Sequence, residues 1–282
     1  MDISTVGIVG AGLMGSGIAE VAARSGLRTL VTDAGPEQLS AGRARVEKSV
    51  ERARSGGKLS DTDAGRILGS MTFTQDLDAF GECDICIEAV VEHMPEKKEV
   101  FGRLDQVASP DAILATNTSS LPIIEIARVT KRPERVIGTH FFNPVPVMRL
   151  LEVVRSIATS DDTLDDVRGL GERLGKRIIV AQDRGGFIVN LLLIPFLTHA
   201  VRLYESGFAT REDIDDGMRL GCGHPMGPLQ LLDLIGLDTA MFVCEALYEE
   251  YANSDYAPPP LLRRMVAAGY LGRKTGRGFY EY

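Results

Sequence analysis

The stretch Val6-Gly-Ile-Val-Gly10-Ala-Gly12-Leu-Met-Gly15 constrains the fold more than any other part of the chain. A short apolar run passes directly into G-x-G-x-x-G, a helical pattern follows from Met14 to Ser25, and a second apolar run from Arg28 to Thr32 ends at Asp33. The glycines alone are weak evidence, but strand, glycines, helix, strand and acid in that order form a strong dinucleotide signal. Gly10 permits the tight turn, Gly12 lets the backbone approach a pyrophosphate, and Gly15 allows close helix packing, while the helix N-terminus favours negative charge. Leu13 and Met14 fall within the same cofactor-facing turn. Asp33 would accept hydrogen bonds from the adenosine ribose and repel a 2'-phosphate, so NAD is expected in preference to NADP. A glycine turn without a ligand is the competing reading, and the full context disfavours it.

Further apolar runs, rich in Val and Ile, alternate with helical stretches: Met71 to Thr74, Ile85 to Glu88, Ile113 to Thr116 and Val136 to Phe142. That alternation predicts a parallel sheet with crossover helices. The helical stretch Pro36 to Arg54 is longer than a crossover requires. Strands are expected again at Met148 to Val154 and Arg177 to Val180, around a helix capped by Ser160 or Asp161 and stopped at Gly175. The polar step Gln182-Asp-Arg-Gly-Gly186 then leads into a wholly helical remainder beginning at Phe187, with a capping start at Thr210-Arg-Glu-Asp213 and a glycine-rich tail. With 282 residues, two domains are expected: residues 1–183, α/β and Rossmann-like, and residues 187–282, all helical.

Acidic groups outnumber basic ones by 39 to 31, giving a net charge of -8, which argues against a nucleic-acid binder held by bulk positive charge. An anionic ligand must therefore meet a local basic patch. The longest apolar run, Phe187 to Val201, is too short for a membrane span and contains Asn190, Pro195 and His199. No membrane association and no cleavable leader are expected, since the first strand begins almost at the initiator. Four cysteines suit a reduced, cytoplasmic setting. Cys83 and Cys86 match C-x-x-C, but a strand through them would send the thiols to opposite faces, so simple packing is expected.

His140, followed by Phe141 and Phe142 at the end of a strand, would ordinarily be a satisfied core residue. Its position at a carboxyl end in an open sheet is where ligands bind, however. If the following strand folds back through Asn143-Pro-Val-Pro146, equal numbers of residues on either side of Pro146 bring Glu152 opposite His140. A carboxylate there would fix the imidazole tautomer and favour its protonated form. Ser119 and Ser120 lie at another strand's carboxyl end, and at least one of them is expected to serve as turn or cap chemistry. Asn190, on an apolar helix, needs partners, which are either a substrate carbonyl or another helix.

The segments VGIVGAGLMGSGIA, CIEAVVE, NTSSLPI, THFFNPVPVMRLLEVV, GGFIVN and HPMGPLQLLDLIGLDT together resemble the L-3-hydroxyacyl-CoA dehydrogenase family, over nearly the whole chain. The resemblance implies a Rossmann-type NAD-binding domain with a protruding helical pair, plus an all-α C-terminal domain that makes a homodimer. By the same likeness His140 is the general base or acid, Glu152 its partner, Ser119 the contact to the substrate oxygen, and Asn190 a positioning group. Glu92, Lys97 and Asn117 would line the nicotinamide side of the cofactor. The long helix after Asp33 would meet CoA, with Arg45, Ser49 and Arg52 near one face and Arg54 and Lys58 at its end. No metal is implied.

The implied reaction is NAD-dependent oxidation of a short (S)-3-hydroxyacyl-CoA, and its reverse. The chain departs from many relatives at Leu191, where they carry a basic residue after the asparagine. Alternatives are a hydroxyacyl group on an acyl carrier protein, a free hydroxy acid, and a dinucleotide-binding protein without turnover.

Overall fold

A computed structural model describes all 282 residues, which divide into two compact units, Met1–Arg184 and Gly185–Tyr282. The first unit runs β1 (Thr5–Val9), α1 (Leu13–Arg24), β2 (Arg28–Thr32), α2 (Pro36–Ser55), α3 (Asp61–Gly69), β3 (Met71–Phe73), β4 (Ile85–Glu88) and α4 (Met94–Val107). It continues with β5 (Ile113–Thr116), α5 (Ile123–Ala127), β6 (Val136–Phe141), β7 (Leu150–Arg155), α6 (Asp161–Arg173) and β8 (Arg177–Gln182). The strands form one eight-stranded sheet in the order β3-β2-β1-β4-β5-β6-β7-β8. Neighbours are parallel throughout except β6 and β7, which pair antiparallel. The order reverses between β1 and β4, opening a crevice at their carboxyl ends, the usual ligand position in such sheets.

The central strands β1, β4 and β5 are buried along their whole length, which is why they read as continuous apolar runs. Helix α2 has only a thin core stripe, Leu39, Gly42, Val46 and Val50, at helical spacing. Val46 and Val50 pack with Ala64 and Ile67 of α3 and Ala23 of α1 in a small separate core, so the two helices lean on α1 and on each other.

One local feature differs from expectation. Cys83 precedes β4, which begins only at Ile85, so strand alternation does not separate the pair. The Cys83 thiol lies against Cys86 and, together with burial, pushes the Cys86 thiol well above the ordinary range. Both are buried and inert, as packing residues would be. Thr139, on the core side of β6, buries a hydroxyl with no hydrogen-bond partner. Thr139→Val is therefore expected to be neutral or to raise stability by about 1 kcal/mol, read from urea unfolding midpoints. A clear loss of stability would mean the hydroxyl has a partner after all.

The second unit contains α7 (Val189–Glu205), α8 (Arg211–Gly221), α9 (Pro228–Ile235), α10 (Leu237–Tyr251) and α11 (Pro260–Ala267) around its own apolar core. Helix α7 begins two residues later than expected, because Phe187 adopts a positive φ of 51° that a helix cannot continue through. Thr210 caps α8 by accepting from Asp213 N–H. The glycine-rich tail closes on Asp233, whose carboxylate accepts from the Phe279 and Tyr280 N–H groups at 2.9 Å each. A side chain at Gly278 would collide with that carboxylate, which explains the glycine. No helix of either unit is long and apolar enough to cross a membrane.

Candidate active site

The loop after β1 is shaped by its glycines and by Asp33. Gly10 has φ 103°, and a Cβ there would lie 2.5 Å from the Ala89 carbonyl oxygen, so the turn after β1 presses on the turn after β4. A Cβ at Gly15 would fall 1.7 Å from the Gly10 carbonyl oxygen, fixing how closely α1 approaches its own loop. Gly12 differs: a Cβ there would meet nothing within 4 Å, so the space beside it is open. Helix α1 has no acid in its first turn and no side-chain cap, which leaves its N–H groups aimed at that space. An open cradle at the positive end of a helix fits a dinucleotide pyrophosphate. Asp33 Oδ2 accepts from Ala11 N–H at 2.6 Å and Oδ1 from Ala34 N–H at 2.7 Å, so the acid orders the glycine loop as well as facing its mouth.

The β6–β7 pairing sets His140 directly opposite Glu152. In an antiparallel pair, opposed side chains share a face, and the remaining gap closes to 2.7 Å between Nδ1 and Glu152 Oε2. His140 is 5% exposed and Glu152 fully buried. An ionised carboxylate only accepts, so Nδ1 carries the proton that it donates, and the neutral ring presents Nε2 as an acceptor. Ser119 Oγ lies 3.1 Å from that Nε2. Ser120 turns the other way, its N–H and hydroxyl directed at Glu92 Oε1. Asn117 Oδ1 accepts from Phe141 N–H at 2.9 Å, tying the end of β5 to the residue after the imidazole.

Lys97, one of the residues expected on the nicotinamide side of the cofactor, is completely buried, with 0% exposure. Its ammonium donates to Glu88 Oε1 at 2.7 Å and lies 3.2 Å from Glu92 Oε2. The physical reason is its place on α4, where Lys97, Phe101 and Leu104 form the buried stripe. Glu92 is partly exposed and accepts from Thr118 Oγ1 at 2.6 Å and from Ser119 N–H at 2.7 Å, holding the Thr118–Ser120 loop. Glu88 was not anticipated. Its carboxylate joins Lys97, Val90 N–H and Thr116 Oγ1, and the signal was an acid ending a wholly apolar strand. Asp183, in the polar step that follows β8, caps α5 by accepting from Ile123 and Ile124 N–H.

On α2, Arg45, Ser49 and Arg52 lie along one side of the helix, while Arg54 comes roughly 200° further round from Arg52. The Arg54 guanidinium is engaged by Glu51 and Asp61, and these carboxylates lift it above its ordinary range. Arg45 Nη1 donates to the Ala11 carbonyl at 3.0 Å, joining α2 to the glycine loop. Arg52 and Lys58 are exposed and Ser49 half-buried. Asn190 belongs to the second unit, on the first turn of α7, where its N–H donates to the Gly186 carbonyl.

A dinucleotide cradle, a buried His–Glu pair beside a strand-end serine, and a separate helical unit define a class, and comparison with known proteins places the chain in it. It belongs to the 3-hydroxyacyl-CoA dehydrogenase family: residues 5–184 match that family's NAD binding domain and residues 186–282 its C-terminal domain. Among individual proteins, it is 50% identical over 282 residues to a 3-hydroxybutyryl-CoA dehydrogenase of Mycobacterium tuberculosis, covering 99% of each chain. It is 42% identical over 287 residues to the human mitochondrial hydroxyacyl-coenzyme A dehydrogenase, covering 99% of this chain and 91% of the relative. The crystal structure of (S)-3-hydroxybutyryl-CoA dehydrogenase PaaH1 from Ralstonia eutropha superposes with a TM-score of 0.95 at 45% identity, covering 100% of this chain and 99% of that one.

Proposed function

We propose that this chain oxidises a short (S)-3-hydroxyacyl-CoA, 3-hydroxybutyryl-CoA in the first place, to the 3-oxoacyl-CoA with NAD, and catalyses the reverse reduction. The observation that carries the reading is the line from buried Glu152 and His140 to half-buried Ser119, with bonds of 2.7 and 3.1 Å, at the carboxyl end of a dinucleotide-binding sheet. Bound NAD supplies the hydride acceptor for C3, or the donor in the reverse direction. His140 Nε2 takes the C3 hydroxyl proton, and Glu152 stabilises the imidazolium that results. Ser119 donates to the substrate oxygen, and Asn190 positions the acyl group. Gly10, Gly12, Leu13, Met14 and Gly15 shape the cradle, Asp33 takes the adenosine ribose, and Glu92 and Asn117 edge the nicotinamide side.

Ser49, Arg52 and Lys58 form the CoA-facing patch in this reading, and Arg54, further round the helix and held by carboxylates, stands at its edge. The second unit exposes Leu192, Phe208 and Leu220 at 73%, 78% and 75%, apolar area suited to a homodimer contact. The cysteine content suits a reducing compartment, and we place the activity in the cytoplasm.

Purified protein is expected to consume NADH with acetoacetyl-CoA and to turn over acetoacetyl carrier protein more slowly. Inactivity on both thioesters would reject the enzyme reading, and a preference for the carrier protein would reassign the substrate. Asp33→Ala is expected to weaken NADH binding and to erode the preference for NADH over NADPH. An unchanged preference, measured by fluorescence titration with both cofactors, would remove Asp33 from the ribose.

A further inference from the structure

The turn joining β6 to β7 forms one wall of a cavity of about 340 Å³, on the side of the sheet where α1 and α6 pack. Leu151 and Val153 point to that side, so His140 and Glu152 point to the other. The proposed chemistry therefore makes no use of this cavity. Its volume falls at the lower end of the range typical of small-molecule sites.

Arg24, Arg149, Arg173 and Lys176 line it, and no carboxylate does. On a chain of net charge -8, four cations around one opening with no acid among them reverse the prevailing field. Their counter-charges are unequal. Arg24 is neutralised by Glu20 at 2.6 Å. Arg173 donates to the Ile3 carbonyl, and its ion-pair contact is Asp2 at 3.8 Å, on a side chain 99% exposed and so strongly screened. The Arg149 guanidinium has no ion-pair or hydrogen-bond partner in the chain.

Lys176 is buried, and its ammonium donates to the carbonyls of Val145 and Met148 at 2.5 and 2.7 Å. Those two bonds hold the turn, but an ammonium has three donors, and carbonyls do not cancel its charge. Burial pushes this lysine below its ordinary range, the consequence of a charge without a counter-ion. Two guanidinium forks and an ammonium suit the several oxygens of a phosphoryl group better than the two of a carboxylate.

We propose that this cavity binds a small phosphorylated anion, held by Arg149, Arg173 and the third proton of Lys176. The occupant sits behind the hairpin that carries His140 and Glu152, apart from the glycine loop and from the basic side of α2.

The test uses the full-length protein saturated with NADH, so that the dinucleotide cradle is filled, and titrates it with pyrophosphate at low ionic strength by calorimetry. One saturable site is expected, weakened at least tenfold in Arg149→Glu, with NADH affinity and turnover on acetoacetyl-CoA unchanged. Arg149→Gln, which keeps the size and removes the charge, is expected to weaken binding in the same sense, should the reversed charge disturb folding. Arg52→Gln is expected to leave pyrophosphate binding unchanged. Absence of a saturable site, full affinity in both Arg149 variants, or loss of binding in Arg52→Gln would each overturn the proposal.

Discussion

His140→Ala is expected to lower turnover of acetoacetyl-CoA by about a hundredfold to ten-thousandfold, the usual contribution of a positioned general acid or base. NADH affinity should stay near that of the parent, because the imidazole lies at the end of β6 and the cradle is built from the loop after β1 and the start of α1. The remaining Glu152 carboxylate would then be buried without its imidazole donor, so a moderate fall in Tm is expected as well. His140→Gln, which can still donate to Glu152, should recover part of the stability but none of the rate. Turnover retained in either variant would remove the proton-transfer role, and lost NADH binding would make the histidine structural.

Lys97→Met should destabilise the first unit by about 3–5 kcal/mol, a drop in Tm on the order of 10 °C, because it strands a fully buried Glu88 without its cation. A lysine that merely touched the cofactor ribose would behave differently, raising the KM for NADH and leaving Tm unmoved. The two measurements thus separate burial from ligand contact. Some loss of turnover should accompany the stability loss, since Glu92 fixes the Ser119 backbone and would itself lose a partner. The double variant Lys97→Met, Glu88→Gln should regain part of the lost stability. If it falls further than the single variant, the buried charge is not what the lysine compensates.

Much of this architecture was legible in residue order because its determinants are local. Apolar runs marked the strands of the sheet, with Arg28–Thr32, Ile85–Glu88 and Ile113–Thr116 agreeing at both ends. The position of Glu152 opposite His140 followed from counting outward from Pro146, since a two-stranded antiparallel pair obeys a simple sum. What residue order did not disclose depended on packing that no short window contains. Lys97 reads as one of two adjacent lysines, and only the 97, 101, 104 spacing distinguishes it from Lys98, which reaches Glu125 instead. Cys83 lies two residues before its strand begins, where side-chain alternation does not govern it. The sequence contained no warning that the turn at Val145 to Met148 would rest on a lysine from beyond α6.

The same turn limits how this enzyme can change. Adding or removing one residue between Asn143 and Arg149 would set the pull of the connector against the burial of Leu151 and Val153 and the pairing of β7 with β8, which together hold the acid opposite the imidazole. A change of length there is therefore expected to loosen the contact between His140 and Glu152, read as a loss of turnover, whereas replacements that keep the length are expected to leave that contact in place. Loops are usually where homologues vary in length; here, connector length bears on the one contact that the proposed proton transfer needs.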